Sequence, residues 1–149
     1  MYHIECMKKT FIIANWKSNK TGSEVSSWFQ RLKIKDLRLT NKEIIVCPSF
    51  TALPILKSLI INHKSSIKLG AQDISPFDEG AYTGEVNGKQ IKELADYVIV
   101  GHSERREYFD EDEEVIKKKI ELSLKYKIVP ILCISETNQI LNLKCQIHI

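Results

Sequence analysis

Five short apolar runs, each followed by polar residues and then by a helical pattern, constrain this chain most strongly. They occupy residues 10–14, 43–47, 67–71, 97–101 and 128–134 and are rich in Ile, Val, Leu and Ala. A strand with one wet face alternates apolar and polar residues. A nearly continuous apolar strand is buried on both faces, as in a parallel sheet covered by helices. Parallel neighbours need a crossover of roughly a dozen residues or more, and the intervening segments provide helices for it. Thr21 and Glu24 have capping-box spacing ahead of Val25, Trp28, Phe29 and Leu32. Leu53, Leu56 and Ile60 form a second apolar face, and Asn87 with Gln90 suits the start of a short helix through Leu94. Asp110 is the expected cap of a fourth helix, with Ile116, Ile120 and Leu124 on its apolar face. There Glu113 and Glu114 precede Lys117 and Lys118 at the favourable spacing of four.

The pattern therefore predicts an α/β fold of five parallel strands and four helices. At 149 residues the chain is long enough to bury a core without a disulfide or metal. A net charge of +3 is spread along the sequence, and the basic run 117–119 is balanced by the acidic run before it. This reads as a helix with a charge gradient rather than a nucleic-acid surface. Cys6, Cys47, Cys133 and Cys145 form no Cys-x-x-Cys pair, and two of them sit in apolar runs. Free thiols in a reducing compartment are expected. No segment has the length of a membrane span. Neither a dinucleotide fingerprint nor a P-loop is present, and the four histidines are too scattered for a metal set. The reading thus calls for no cofactor, no metal, no nucleic acid and no membrane.

The polar clusters off the strand ends carry the chemistry. Asn15 and Lys17 follow the first strand, and Gly101-His102-Ser103-Glu104-Arg105-Arg106 follows the fourth. Lys17 can neutralise an anionic substrate or sit on the surface as an ordinary lysine. The Asn15 amide can cap local backbone or bind substrate. His102 can act as a general acid or hydrogen-bond donor, or merely satisfy loop backbone groups. Glu104 is placed to pair with Lys17 across neighbouring strand ends, and Arg105 and Arg106 read as intramolecular ion-pair partners. Cys133 lies in the fifth strand with Glu136 just beyond it, a supporting position rather than that of a base. Residues 72–88 form a long, glycine-punctuated connection, suited to a functional or interface loop.

Taken in order, Asn15-Trp16-Lys17, Gly70-Ala71-Gln72-Asp73, Gly80-Ala81-Tyr82-Thr83-Gly84-Glu85, the His102 run and Pro130-Ile131-Leu132-Cys133 resemble the successive motifs of the triosephosphate isomerase family. The resemblance covers 9–137 and implies the first five strands of an eight-stranded (β/α)8 TIM barrel, leaving 1–8 as an extension. It implies a cytoplasmic isomerase acting on a triose phosphate and forming a homodimer. Asn15 and Lys17 would contact substrate. His102 would polarise the carbonyl and move protons between oxygens, and Glu104 would support the lysine. Cys133 and Glu136 would be further supporting residues. Gln72, Tyr82, Thr83, Gly84 and Glu85 would belong to the loop that reaches the partner subunit.

Three kinds of departure limit what the resemblance implies. The family's base is a glutamate after strand six, and its phosphate cradle lies in glycine-rich loops after strands seven and eight. No residue of this sequence matches either. Ser135-Glu136 stands where the family usually has Gly-Glu. In 138–149, Leu141, Leu143, Cys145, Ile147 and Ile149 recur at every second position, the period of a strand rather than of the expected helix. The expectations are therefore an isomerase half that lacks its base, or a noncatalytic half-barrel that acts by protein association.

Overall fold

A computed structural model describes residues 9–32 and 41–134. The expected extension 1–8, the tail 138–149 and Glu136 lie outside the described residues. The elements are β1 Thr10–Asn15, α1 Gly22–Arg31, β2 Lys42–Cys47, α2 Leu53–Asn62, β3 Lys68–Ala71, α3 Gly88–Lys92, β4 Tyr97–Val100, α4 Ser103–Tyr108, α5 Glu113–Lys125 and β5 Val129–Leu132. All strand pairs are parallel and follow chain order from β1 to β5. The sheet curls into an open half-barrel with β1 and β5 at its two edges.

Register divides the strand residues into two faces. Phe11, Ile13, Ile45, Gly70, Tyr97, Ile99 and Ile131 share the open, concave face. Val46, Leu69, Ala71, Val98 and Val100 face the helices, where they pack with Val25, Phe29, Leu53, Leu56, Ile91 and Ile116. This second layer is the main core, and burial of its aliphatic side chains supplies the principal driving force. The edges are less well covered: Ile12 and Leu132 are exposed on the helix side, as are Ile13 and Val129 on the concave side. At the base of the concave face, Glu43 accepts the Tyr97 hydroxyl and pairs with Lys9. Burial, followed by the hydrogen bond to Glu43, pushes the Tyr97 phenol up to about 12.

The helix starts follow their local signals. Glu24 accepts the Thr21 N–H at 2.7 Å, and Asn87 accepts the Gln90 N–H at 3.1 Å. The start of α5 differs from expectation. Asp112, not Asp110, caps it by accepting the Val115 N–H at 2.8 Å, while Asp110 sits at φ 53° in the preceding turn. The buried face of α5 also differs. Leu124 is 60% exposed, whereas Lys119 and Ser123 are buried beside Ile116. A helix presents i, i+3 and i+7 together, so Lys119 faces inward because it has buried ionic partners there. Finally, the described residues hold five helices rather than four, the additional one being the six-residue α4.

Candidate active site

The polar residues singled out after β1 and β4 lie at the C-terminal ends of their strands, where (β/α) barrels build their sites. Asn15 is the last residue of β1, and its Oδ1 accepts the Lys17 N–H at 2.9 Å. Lys17 stands at φ 53°, a left-handed conformation that is costly for a side-chain-bearing residue. Its Nζ reaches Glu104 Oε1 at 2.5 Å. On a flat sheet the ends of β1 and β4 would be three strand spacings apart, about 14 Å. Curling of the sheet brings their side chains together. Both partners are roughly half exposed, so the pair adds little stability and mainly fixes the position of the ammonium. The hydrogen bond from Lys17 holds the Glu104 carboxyl below the usual glutamate range.

Gly101 makes the turn out of β4 at φ +70°, and His102 follows as the cap of α4. The ring accepts the Glu104 N–H at Nδ1, at 3.2 Å. Glu104 Oε2 is 3.6 Å from the same nitrogen, outside hydrogen-bond range, so the backbone contact fixes the tautomer. A neutral ring then carries its hydrogen on Nε2.

Below the site lies a charge network that the sequence did not reveal. Buried Lys119 binds Asp73 Oδ1 at 2.6 Å and also reaches Glu111. Arg105 binds Asp73 Oδ2 at 3.0 Å and Glu111 Oε1 at 2.5 Å. Burial raises the Asp73 carboxyl despite these two cations. Arg106 pairs with Glu113 at 2.5 Å and donates to the Gly101 carbonyl at 2.9 Å. Both arginines thus make the intramolecular pairs expected of them. The network anchors α4, and with it His102 and Glu104, to the start of the 72–88 connection and to α5.

The remaining expected residues are dispersed. Cys133 lies just past the end of β5 and packs against the concave cluster of Ile45, Cys47 and Ile99. Cys47 and Cys133 are free thiols, and burial pushes both up, Cys47 to about 12. Tyr82, Thr83, Gly84 and Glu85 are exposed on the long connection, where Tyr82 stacks on Phe77. Gln72, at the start of the same connection, donates its side-chain amide to the carbonyls of Lys17 and Cys47. Among the described residues, no group of three or more His, Cys, Asp or Glu side chains is placed to hold a metal ion. No described helix is long and apolar enough to cross a membrane.

A curled parallel sheet with lysine, histidine and glutamate gathered at its C-terminal end has the architecture of one part of a (β/α)8-barrel enzyme. The family model described as triosephosphate isomerase matches residues 10–147. A triosephosphate isomerase of Alkaliphilus metalliredigens is 43% identical over 134 residues, covering 89% of this chain and 53% of the relative. One from Dehalococcoides mccartyi is 44% identical over 130 residues, covering 87% and 51%. One from Trichodesmium erythraeum is 43% identical over 136 residues, covering 89% and 55%. The chain belongs to the triosephosphate isomerase family. It spans about half the length of the curated relatives it matches.

Proposed function

We propose that these residues form the substrate-binding and electrophilic side of a site that interconverts dihydroxyacetone phosphate and glyceraldehyde 3-phosphate. The observation that carries this reading is the Lys17–Glu104–His102 arrangement at one end of the sheet. The Lys17 ammonium offsets the negative charge of the phosphorylated triose. The Asn15 side-chain oxygen Oδ1 accepts the Lys17 N–H, which leaves the Nδ2 hydrogens for substrate. His102 donates from Nε2 to the carbonyl oxygen and moves protons between the two oxygens of the enediolate. The neutral histidine electrophile is the family's own well-known device, carried over to His102 by its position in the motif.

The carbon-bound proton requires a base, which the family places after strand six. The base and the phosphate cradle are therefore supplied by polypeptide outside these residues. The chain assayed alone is expected to show no isomerisation. Adding a separately produced polypeptide with the remaining three strand–helix units is expected to restore it. Turnover by the isolated chain would overturn the missing-base reading. No turnover from a physically associated pair would overturn the assignment of the site.

Homodimer formation is a further part of the proposal. Tyr82 is exposed beside Phe77, and Tyr108 and Phe109 are exposed at the C-terminal end of α4. Exposed aromatics of this kind are typical interface anchors. Sedimentation of the complemented protein is expected to give a dimer, weakened by Tyr82→Ser. A noncatalytic half-barrel is the second reading, favoured by the apolar concave face and the open edges. It predicts a monodisperse oligomer with no turnover even when the missing units are supplied.

A further inference from the structure

We propose that Gln72 is a positioning residue for Lys17: its side-chain amide clamps the Lys17 backbone in the conformation from which the ammonium reaches the site. This rests on the reading above for the role of Lys17, but the clamp itself is independent of turnover.

Gln72 follows β3 directly, and its Nε2 donates to two carbonyls. One is that of Lys17, at 3.0 Å, and the other is that of Cys47, at 2.8 Å. Both amide hydrogens are thereby used. The Cys47 carbonyl also accepts the Trp16 N–H at 3.0 Å. The amide therefore ties the segment after β1 to the end of β2 from a base on β3. Unfavourable backbone conformations persist where surrounding contacts over-determine them. Lys17, at φ 53°, is held at its N–H by Asn15, at its carbonyl by Gln72 and at its ammonium by Glu104. Asn15 belongs to the same local turn and Glu104 grips the far end of a flexible side chain. Gln72 is the only one of these three that fixes the Lys17 backbone from another strand.

Its neighbourhood accounts for a glutamine there. The side chain must leave β3 and cross the end of β2. At that crossing Gly70, the preceding residue on the concave face, leaves no room for a Cβ, which would lie 2.5 Å from Cys47 Sγ. An asparagine is one methylene too short to span the same gap, and a glutamate has no hydrogen for either carbonyl.

The test uses the whole chain without substrate. Gln72→Met keeps the length of the side chain and removes both donors. The expected result is a folded chain in which the Lys17 amide resonance moves and the Glu104 carboxyl titrates closer to the ordinary glutamate value. A folded Gln72→Met chain with an unchanged Lys17 amide and unchanged Glu104 titration overturns the proposal. A measurement on the unsubstituted chain guards against misfolding of the variant. Nuclear magnetic resonance should detect scalar coupling across the hydrogen bond from Gln72 Nε2 to the Lys17 carbonyl carbon. Its absence in the folded chain also overturns the clamp. Failure of the isomerase reading would instead appear as no turnover from the complemented protein while this coupling persists.

Discussion

Lys119→Met tests the ionic network beneath the site most directly. The Lys119 side chain is 2% exposed and those of its partners Asp73 and Glu111 are 16% and 5% exposed. Removing one member of a buried ion pair costs about 3–5 kcal/mol, because the remaining charge stays buried without compensation. Here Arg105 still contacts both carboxylates, which places the expected loss near the lower end, about 3 kcal/mol. In a chain of this size each kcal/mol lowers the melting temperature by roughly 2–4 °C, so a fall of about 10 °C is expected. A small domain has only about 5–15 kcal/mol of net stability to lose. Glu111 Oε2 is already buried without a hydrogen-bond partner among the described residues, so this carboxylate has little reserve.

The loss has a pH signature. Burial raises the folded-state Asp73 carboxyl above the ordinary aspartate value, and the nearby cations only partly oppose this. A carboxyl raised on folding favours the folded state at low pH, and that contribution is lost as pH climbs through the folded value. Without Lys119, Asp73 is raised further, so the variant's deficit shrinks on acidification as the uncompensated charge takes up a proton. Urea unfolding of both proteins across the acid range measures the difference. A second substitution, Glu111→Gln, should recover part of the loss because the excess negative charge is gone. A deficit below about 1 kcal/mol, or one independent of pH, would refute the view that Lys119 is held inside by its charge partners.

Three further outcomes are expected. Gly101→Ala places a Cβ at φ +70° and 3.1 Å from Arg106 Nη2, and should cost about 1–2 kcal/mol in urea unfolding. In a Cys6→Ser/Cys145→Ser background, Cys47 should resist thiol reagents at pH 8. Its rise from 9.0 to about 12 leaves about a thousandfold less thiolate than in the unfolded chain, whose reaction rate is the reference. Asp78 is lowered to about 2 by hydrogen bonds from Lys125 and Tyr126. It therefore stabilises the fold above its unfolded value and loses that effect as pH falls from about 4 toward 2. Asp78→Asn should flatten this part of the acid unfolding profile.

The five parallel strands were legible because their apolar runs are short and nearly continuous, most fully at β2, β3 and β4, whose helix-side residues Val46, Leu69, Val98 and Val100 are buried. Glu104 was legible as the partner of Lys17 from their opposite charges at polar strand ends, but their strands are not neighbours: β2 and β3 lie between them, and the curl of the sheet closes the gap. Hydrophobic period misled at α5, where Leu124 was expected inside and Lys119 lies there instead. The period registers side-chain polarity and carries no information about a buried counter-charge 46 residues away in sequence. It also missed α4, whose six residues are too few to display an apolar face. The role of Gln72 was hidden for a related reason. Its partners are backbone carbonyls, which every residue possesses and no sequence pattern distinguishes.

The site and the fold are therefore completed to different degrees. Among the described residues, the side-chain hydrogen bonds of Asn15, Lys17, Gln72, His102 and Glu104 join groups at the ends of β1, β2, β3 and β4, while the Asp73–Arg105–Glu111–Lys119 network ties α4 to α5. In a parallel barrel the loops at one end are set by neighbouring strands, so a run of consecutive strands brings its share of the site with it. Stability does not divide in the same way. Among the described residues the centre of the concave face, Ile45, Cys47 and Ile99, is buried, whereas Ile13 and Val129 at its margins are exposed and the outer edges of β1 and β5 have no strand beside them. Asn15-Trp16-Lys17 and the His102 run thus come together at one end of a half-barrel whose edge strands still expose Ile12, Ile13, Val129 and Leu132, apolar margins that favour association with further strands.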